Sequence, residues 1–114
     1  MRWFLLALGV FAQPAFATDL ANGADIRAAI AGNTVKGSMQ ASGAYSEFYS
    51  PDGAIKAADY SGTWSVQGDK FCFAYGGDPA SCWGVQISGN QVVWVGDGGE
   101  EGVGTIVPGN PNGF

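Results

Sequence analysis

Two dipeptides, Gly68-Asp69 and Gly89-Asn90, constrain the fold of this chain more than any other feature. Each is a Gly-X pair of the kind that forms a two-residue hairpin turn, and such a turn fixes which residues of its flanking strands face each other. Across the first, Gln67 faces Lys70, Val66 faces Phe71 and Trp64 faces Phe73. Across the second, Ser88 faces Gln91, Ile87 faces Val92 and Val85 faces Trp94. Both registers set large apolar residues opposite one another and gather Ser65, Gln67, Lys70, Gln86, Ser88 and Gln91 on the other face. A slip of one residue would undo both segregations.

A third hairpin joins these two if Cys72 lies opposite Cys82, which sets Phe71 against Trp83 and Phe73 against Ser81. Trp64, Val66, Phe71, Phe73, Tyr75, Trp83, Val85, Ile87, Val92 and Trp94 then line one continuous face, the predicted core. The cysteines fall on the opposite face. They are the only two in the chain, and their spacing is far from a Cys-x-x-Cys redox motif, so they are expected to form a structural disulfide across the outer side of the sheet.

Elsewhere, short runs rich in Val, Thr, Tyr, Phe and Trp alternate with Gly, Asn, Asp and Pro. Strands are expected at 34–40, 45–50, 54–59, 62–67, 70–75, 81–88, 91–96 and 103–107, with Ser50-Pro51-Asp52-Gly53 as a turn. One short helix is predicted at about 23–31, capped by Asn22, with Ile26 and Ile30 on one face and Gly32 at its exit. The predicted fold is all-β: an antiparallel meander of about seven or eight strands in a strongly curved sheet or small barrel, with one N-terminal helix and one disulfide.

Residues 1–17 read as a secretory signal peptide: Arg2, an apolar stretch from Trp3 to Ala12, and small residues at Ala15 and Ala17. The apolar stretch breaks at Gln13-Pro14, too short for a membrane helix, so residues 18–114 are expected to be a single periplasmic or secreted domain with no membrane insertion after cleavage. Four basic residues then remain (Arg27, Lys36, Lys56, Lys70) against ten acidic ones. With no basic cluster, neither nucleic acid nor an anionic membrane surface is an expected partner.

The chain contains no histidine, so every catalytic arrangement built on imidazole is absent. Most acids sit in apparent turns. Glu47 is an exception, and alternation puts it on the face of Tyr45 and Tyr49. No catalytic residue is assigned, no enzymatic activity is expected, and nothing in the sequence asks for a cofactor. Asp97, Glu100 and Glu101, in an apparent glycine-rich loop, are a candidate for calcium because they offer hard oxygen ligands, against the alternative of a solvated loop. Trp64, Trp83 and Trp94 are either core or the lining of an apolar ligand site.

The residues Gly62-Thr63-Trp64, Gly68-Asp69-Lys70-Phe71-Cys72-Phe73, Cys82-Trp83-Gly84-Val85 and Gly89-Asn90 together resemble small exported proteobacterial domains of uncharacterised function. That resemblance implies a periplasmic β-meander and carries over no catalytic residue. More weakly, Ser42-Gly43-Ala44-Tyr45 resembles part of the loop that periplasmic inhibitors of C-type lysozyme present to their basic enzyme. The second, lysine-bearing loop of those inhibitors has no counterpart here. The expected role is a non-enzymatic periplasmic binding or interaction module of unknown partner, a periplasmic protein being one candidate; the alternatives are a lysozyme-type hydrolase inhibitor and a small barrel carrying an apolar ligand.

Overall fold

The structure, a computed structural model, describes residues 19–114, so the signal-peptide reading lies outside the described residues. Its elements are α1 (Gly23–Ile30), β1 (Asn33–Met39), β2 (Gly43–Tyr49), β3 (Ala54–Lys56), β4 (Ser61–Gln67), β5 (Lys70–Tyr75), β6 (Ser81–Ser88), β7 (Gln91–Gly96) and β8 (Gly99–Val107). Each strand pairs antiparallel with the next, and β8 returns to pair with β1, closing a barrel. Closure gives every strand two neighbours and leaves no sheet edge to template aggregation.

The hairpin arithmetic holds residue for residue. Val66 pairs with Phe71, Trp64 with Phe73, Ile87 with Val92 and Val85 with Trp94, and both turn glycines have a φ of 60°. The cysteine hairpin is also in the expected register, with Phe71 opposite Trp83, and a Cys72–Cys82 disulfide spans the strands. By alternation the bond belongs to the face away from Phe71, Phe73 and Trp83. Cys72 is nevertheless buried, while Cys82 is exposed. Replacing both cysteines with serine is expected to destabilise the protein by about 2.7 kcal/mol, the entropy of an open loop of this length, measured by denaturant unfolding of the two forms. Unchanged stability would remove its role as a fastener.

Three expectations need correction. The third strand stops at Lys56 instead of continuing to residue 59, because Ala57 N–H donates to the Tyr60 carbonyl (3.1 Å) and turns the chain. The second strand starts at Gly43, not at Tyr45, so of the Ser42–Tyr45 stretch only Ser42 lies in a turn. The last strand starts at Gly99, so most of the expected acidic loop is strand. There, pairing with β7 on one side and β1 on the other overrides the weak strand preference of glycine. A bulge opposite Trp94 and Val95 accommodates one extra residue of β8, Glu101.

Helix α1 closes one end of the barrel. Asn22 caps it by accepting from Asp25 N–H (2.9 Å), and Ile26 and Ile30, one turn apart, are wholly buried. The Gly23 N–H donates to Asp69 in the β4–β5 turn (2.8 Å), and the Gly32 N–H donates to the Tyr49 carbonyl at the end of β2 (2.7 Å). The helix also contacts β1, β4 and β5, strands from different parts of the ring, and therefore lies across this end. Ile26, Ile30, Val35, Ile55, Trp64, Phe71, Val85, Val92 and Trp94 belong to one buried cluster inside the barrel.

Candidate ligand-binding site

The opposite end of the barrel is open. A cavity of about 730 Å³ enters between the β1–β2, β3–β4, β5–β6 and β7–β8 connections, within the usual size range of small-molecule sites. Its apolar wall comes from Phe71 and Phe73 of β5, Trp83 of β6 and Trp94 of β7. Their rings pack against one another, with centroids 4.4 Å apart for Phe73–Trp83 and 5.0 Å for Phe71–Trp94. Met39, Ala41, Ser42, Ala44 and Gly76 line the mouth.

The polar part of the cavity is built around Glu47 of β2, which is only 5% exposed. Alternation along β2 turns Tyr45, Glu47 and Tyr49 inward together. Tyr49 donates to one carboxylate oxygen of Glu47 (2.6 Å) and Tyr60 to the other (2.6 Å). Tyr75 lies between the two oxygens, at 3.1 and 2.8 Å. Tyr45 donates to the Val103 carbonyl (3.0 Å) and accepts from the Trp94 indole N–H (2.8 Å). All four tyrosines of the chain thus belong to this one site. Gly104 of β8 makes room for it, since a side chain there would overlap the Tyr45 hydroxyl and Val35.

The phenols are held in their neutral, donating form. Burial, opposed by the Trp94 hydrogen bond and reinforced by the Glu47 charge, pushes Tyr45 up to about 12. Burial first, and then the charge of Glu47 and the hydrogen bond to it, raise Tyr49 well above the ordinary phenol value and push Tyr60 and Tyr75 higher than Tyr45. A phenol whose folded value is raised stabilises the protein fully below its unfolded value near pH 10, and that stabilisation is lost as pH rises toward the folded value. For Tyr49, almost wholly buried, the loss is about 1.4 kcal/mol per pH unit above pH 10. The folded protein is therefore expected to show almost no tyrosinate absorbance at pH 10 and to unfold under stronger alkali. Half-ionised tyrosines at pH 10 in the folded state would contradict the hydrogen-bonded cluster.

The sequence-derived candidates divide. Trp83 and Trp94 line the cavity, but Trp64 does not. It lies on the helix side, donates to the Ser50 carbonyl (2.9 Å), stacks on Phe71 (centroids 5.9 Å apart) and carries the Arg27 guanidinium over its ring at 5.5 Å. Ser42 and Ala44 sit at the mouth, Gly43 opens β2, and Tyr45 turns its phenol inward instead of offering it to a partner. Asp97, Glu100 and Glu101 do not form a calcium loop. Only Asp97 lies in a turn, Glu101 lines the cavity, and no group of three acidic side chains able to hold a metal ion converges among the described residues.

Compared with known proteins, the chain matches no family model, no curated protein and no solved structure.

The role of Glu47 was half visible in its alternation with Tyr45 and Tyr49. Its other partners were not, because Tyr60 and Tyr75 stand 13 and 28 residues away and meet it only once the barrel has formed.

Proposed function

We propose that the protein is a non-enzymatic binding protein of the periplasm or extracellular space, whose barrel carries a small, largely apolar ligand in the open cavity. The carrying observation is the cavity of about 730 Å³, walled by Phe71, Phe73, Trp83 and Trp94 and open at the end opposite α1. A packed barrel of this size has no need of such a space, and concave aromatic cavities with a few fixed polar groups are the usual form of a ligand site. The disulfide is consistent with an oxidising compartment outside the cytoplasm.

The test is titration with N-phenylnaphthylamine, a neutral fluorescent probe. Its emission is expected to rise and the tryptophan emission to fall, saturating at one probe per chain. Met39→Trp, which places an indole in the mouth from the inward face of β1, is expected to leave the protein folded and to abolish the response. No response at saturating probe would contradict the proposal.

A second reading, inhibition of a lysozyme-type hydrolase, draws on Ser42, which is exposed in the β1–β2 turn at the rim. It requires muramidase activity to fall at near-stoichiometric protein and to return on substitution of Ser42. Unaffected activity across several lysozymes would end it.

A further inference from the structure

We infer that the ligand of this cavity is an organic ammonium ion, a positively charged nitrogen carrying alkyl or aryl groups, seated among the aromatic rings beside Glu47. The inference rests on the ligand-binding reading and names the chemical class of its ligand.

The charge of the site has one sign. Glu47 and Glu101 line the cavity, and no lysine or arginine does. The same sign surrounds the entrance. The connections at 40–42, 57–60, 76–80 and 97–98 contain Asp59, Asp78 and Asp97 and no basic residue. Of the cations among the described residues, Arg27 on α1 and Lys70 beside the β4–β5 turn belong to the closed end, Lys36 is exposed on β1, and Lys56, which ends β3 next to the 57–60 connection, is exposed and by alternation with the buried Ile55 faces outward. A mouth lined by acids over low-dielectric walls concentrates cations and repels anions.

The chemistry inside narrows the kind of cation. Both oxygens of Glu47 already accept from tyrosine hydroxyls, so the carboxylate contributes negative charge but has little hydrogen-bonding capacity left for a ligand N–H. Four phenols and four larger or purely apolar rings face the same space. Their π faces attract a cation without needing a hydrogen bond, and most strongly when the cation is desolvated. A fully substituted ammonium suits both conditions, having no N–H to satisfy and a charge spread over apolar groups. A hydrated metal ion suits neither, because its oxygen ligands would have to come from groups that are already engaged or do not converge. A basic protein surface cannot reach a carboxylate that is 5% exposed inside a barrel.

The test compares phenyltrimethylammonium with tert-butylbenzene, its neutral isostere, by quenching of tryptophan emission in the folded protein. The ammonium is expected to bind at least about tenfold more tightly, the scale of a desolvated cation–π contact supported by a nearby charge. Glu47→Gln is expected to narrow that difference severalfold by weakening the ammonium alone, with the ring faces and Glu101 retaining the rest. Equal binding of the pair, or tighter binding of the isostere, overturns the inference while leaving an apolar ligand site intact. In that case the acidic mouth serves solubility or a basic macromolecule. Binding of neither compound, together with no response to the neutral fluorescent probe, overturns the ligand-binding reading itself. An unchanged ammonium preference in a folded Glu47→Gln variant overturns the role given to Glu47, and the wild-type comparison stands even if that variant fails to fold.

Discussion

Trp94→Ala is expected to destabilise the protein by about 3–5 kcal/mol, the range for truncating a fully buried aromatic side chain. Trp94 is 2% exposed, and its ring packs between Phe71 and Trp83 at 5.0 and 6.3 Å. Two losses combine there. The space left by the indole would be continuous with the existing cavity, so the surrounding barrel has little means of collapsing onto it. The Tyr45 hydroxyl would also lose the indole donor. Domains of this size are typically stable by about 5–15 kcal/mol, so the variant should unfold at much lower denaturant. Trp83, which is only half-buried, is expected to cost less on the same substitution. A Trp94→Ala variant within 1 kcal/mol of the parent, on the scale where surface changes fall within roughly half that, would show that the barrel core lies elsewhere.

Glu47→Leu is the second large effect, expected at roughly 1–3 kcal/mol. Leucine fills most of the carboxylate's volume, so water is denied the position and the buried hydroxyl of Tyr49 is left without an acceptor, while Tyr75, which lines the open cavity, can turn to water. A buried donor left unsatisfied costs about 1–3 kcal/mol, and Tyr60, at 44% exposure, can turn to solvent and contribute little. Glu47→Gln keeps one acceptor oxygen and is expected to recover most of that loss. Both variants remove the charge that helps raise the four phenols, so tyrosinate should appear at lower pH in each than in the parent. Equal stability of the leucine and glutamine forms would mean that the tyrosines do not depend on Glu47.

These predictions meet in a division of labour within one small barrel. Helix α1 lies across one end and supplies Ile26 and Ile30 to the core, while the cavity opens at the other end. Tyr49 and Phe71 stand at the boundary, edge to face with centroids 5.4 Å apart, and belong to both the core and the cavity. The outward-facing disulfide fastens the β5–β6 hairpin, which supplies Phe71, Phe73 and Trp83, without occupying volume inside.

What could be read in advance follows how local each constraint is. The registers of the β4–β5 and β6–β7 hairpins rest on two-residue turns and strict alternation, which are properties of neighbouring residues, and both were legible. The pairing of Cys72 with Cys82 needed only one further assumption about a loop. Closure of β1 onto β8 joins residues such as Thr34 and Val107 from opposite ends of the domain, and no local pattern encodes it. The same holds for Tyr60, which enters the site because the chain turns at Ala57, and for Glu101, which faces the cavity where a bulge interrupts alternation. For Trp64 the choice between core and cavity lining stayed open for a related reason. Its face was assigned correctly, but its height along the barrel, and hence on which side of Phe71 it lies, depends on where α1 docks.

The most direct test of the ligand-binding account is a nitrogen-labelled magnetic resonance titration of the indole N–H signals of Trp64, Trp83 and Trp94 with phenyltrimethylammonium and with N-phenylnaphthylamine. Trp83 and Trp94 line the cavity, whereas Trp64 donates to the Ser50 carbonyl on the helix side. The account predicts saturable shifts of the Trp83 and Trp94 signals while that of Trp64 stays nearly fixed. Signals that do not move with either compound, or a Trp64 signal that moves as far as the other two, would contradict it.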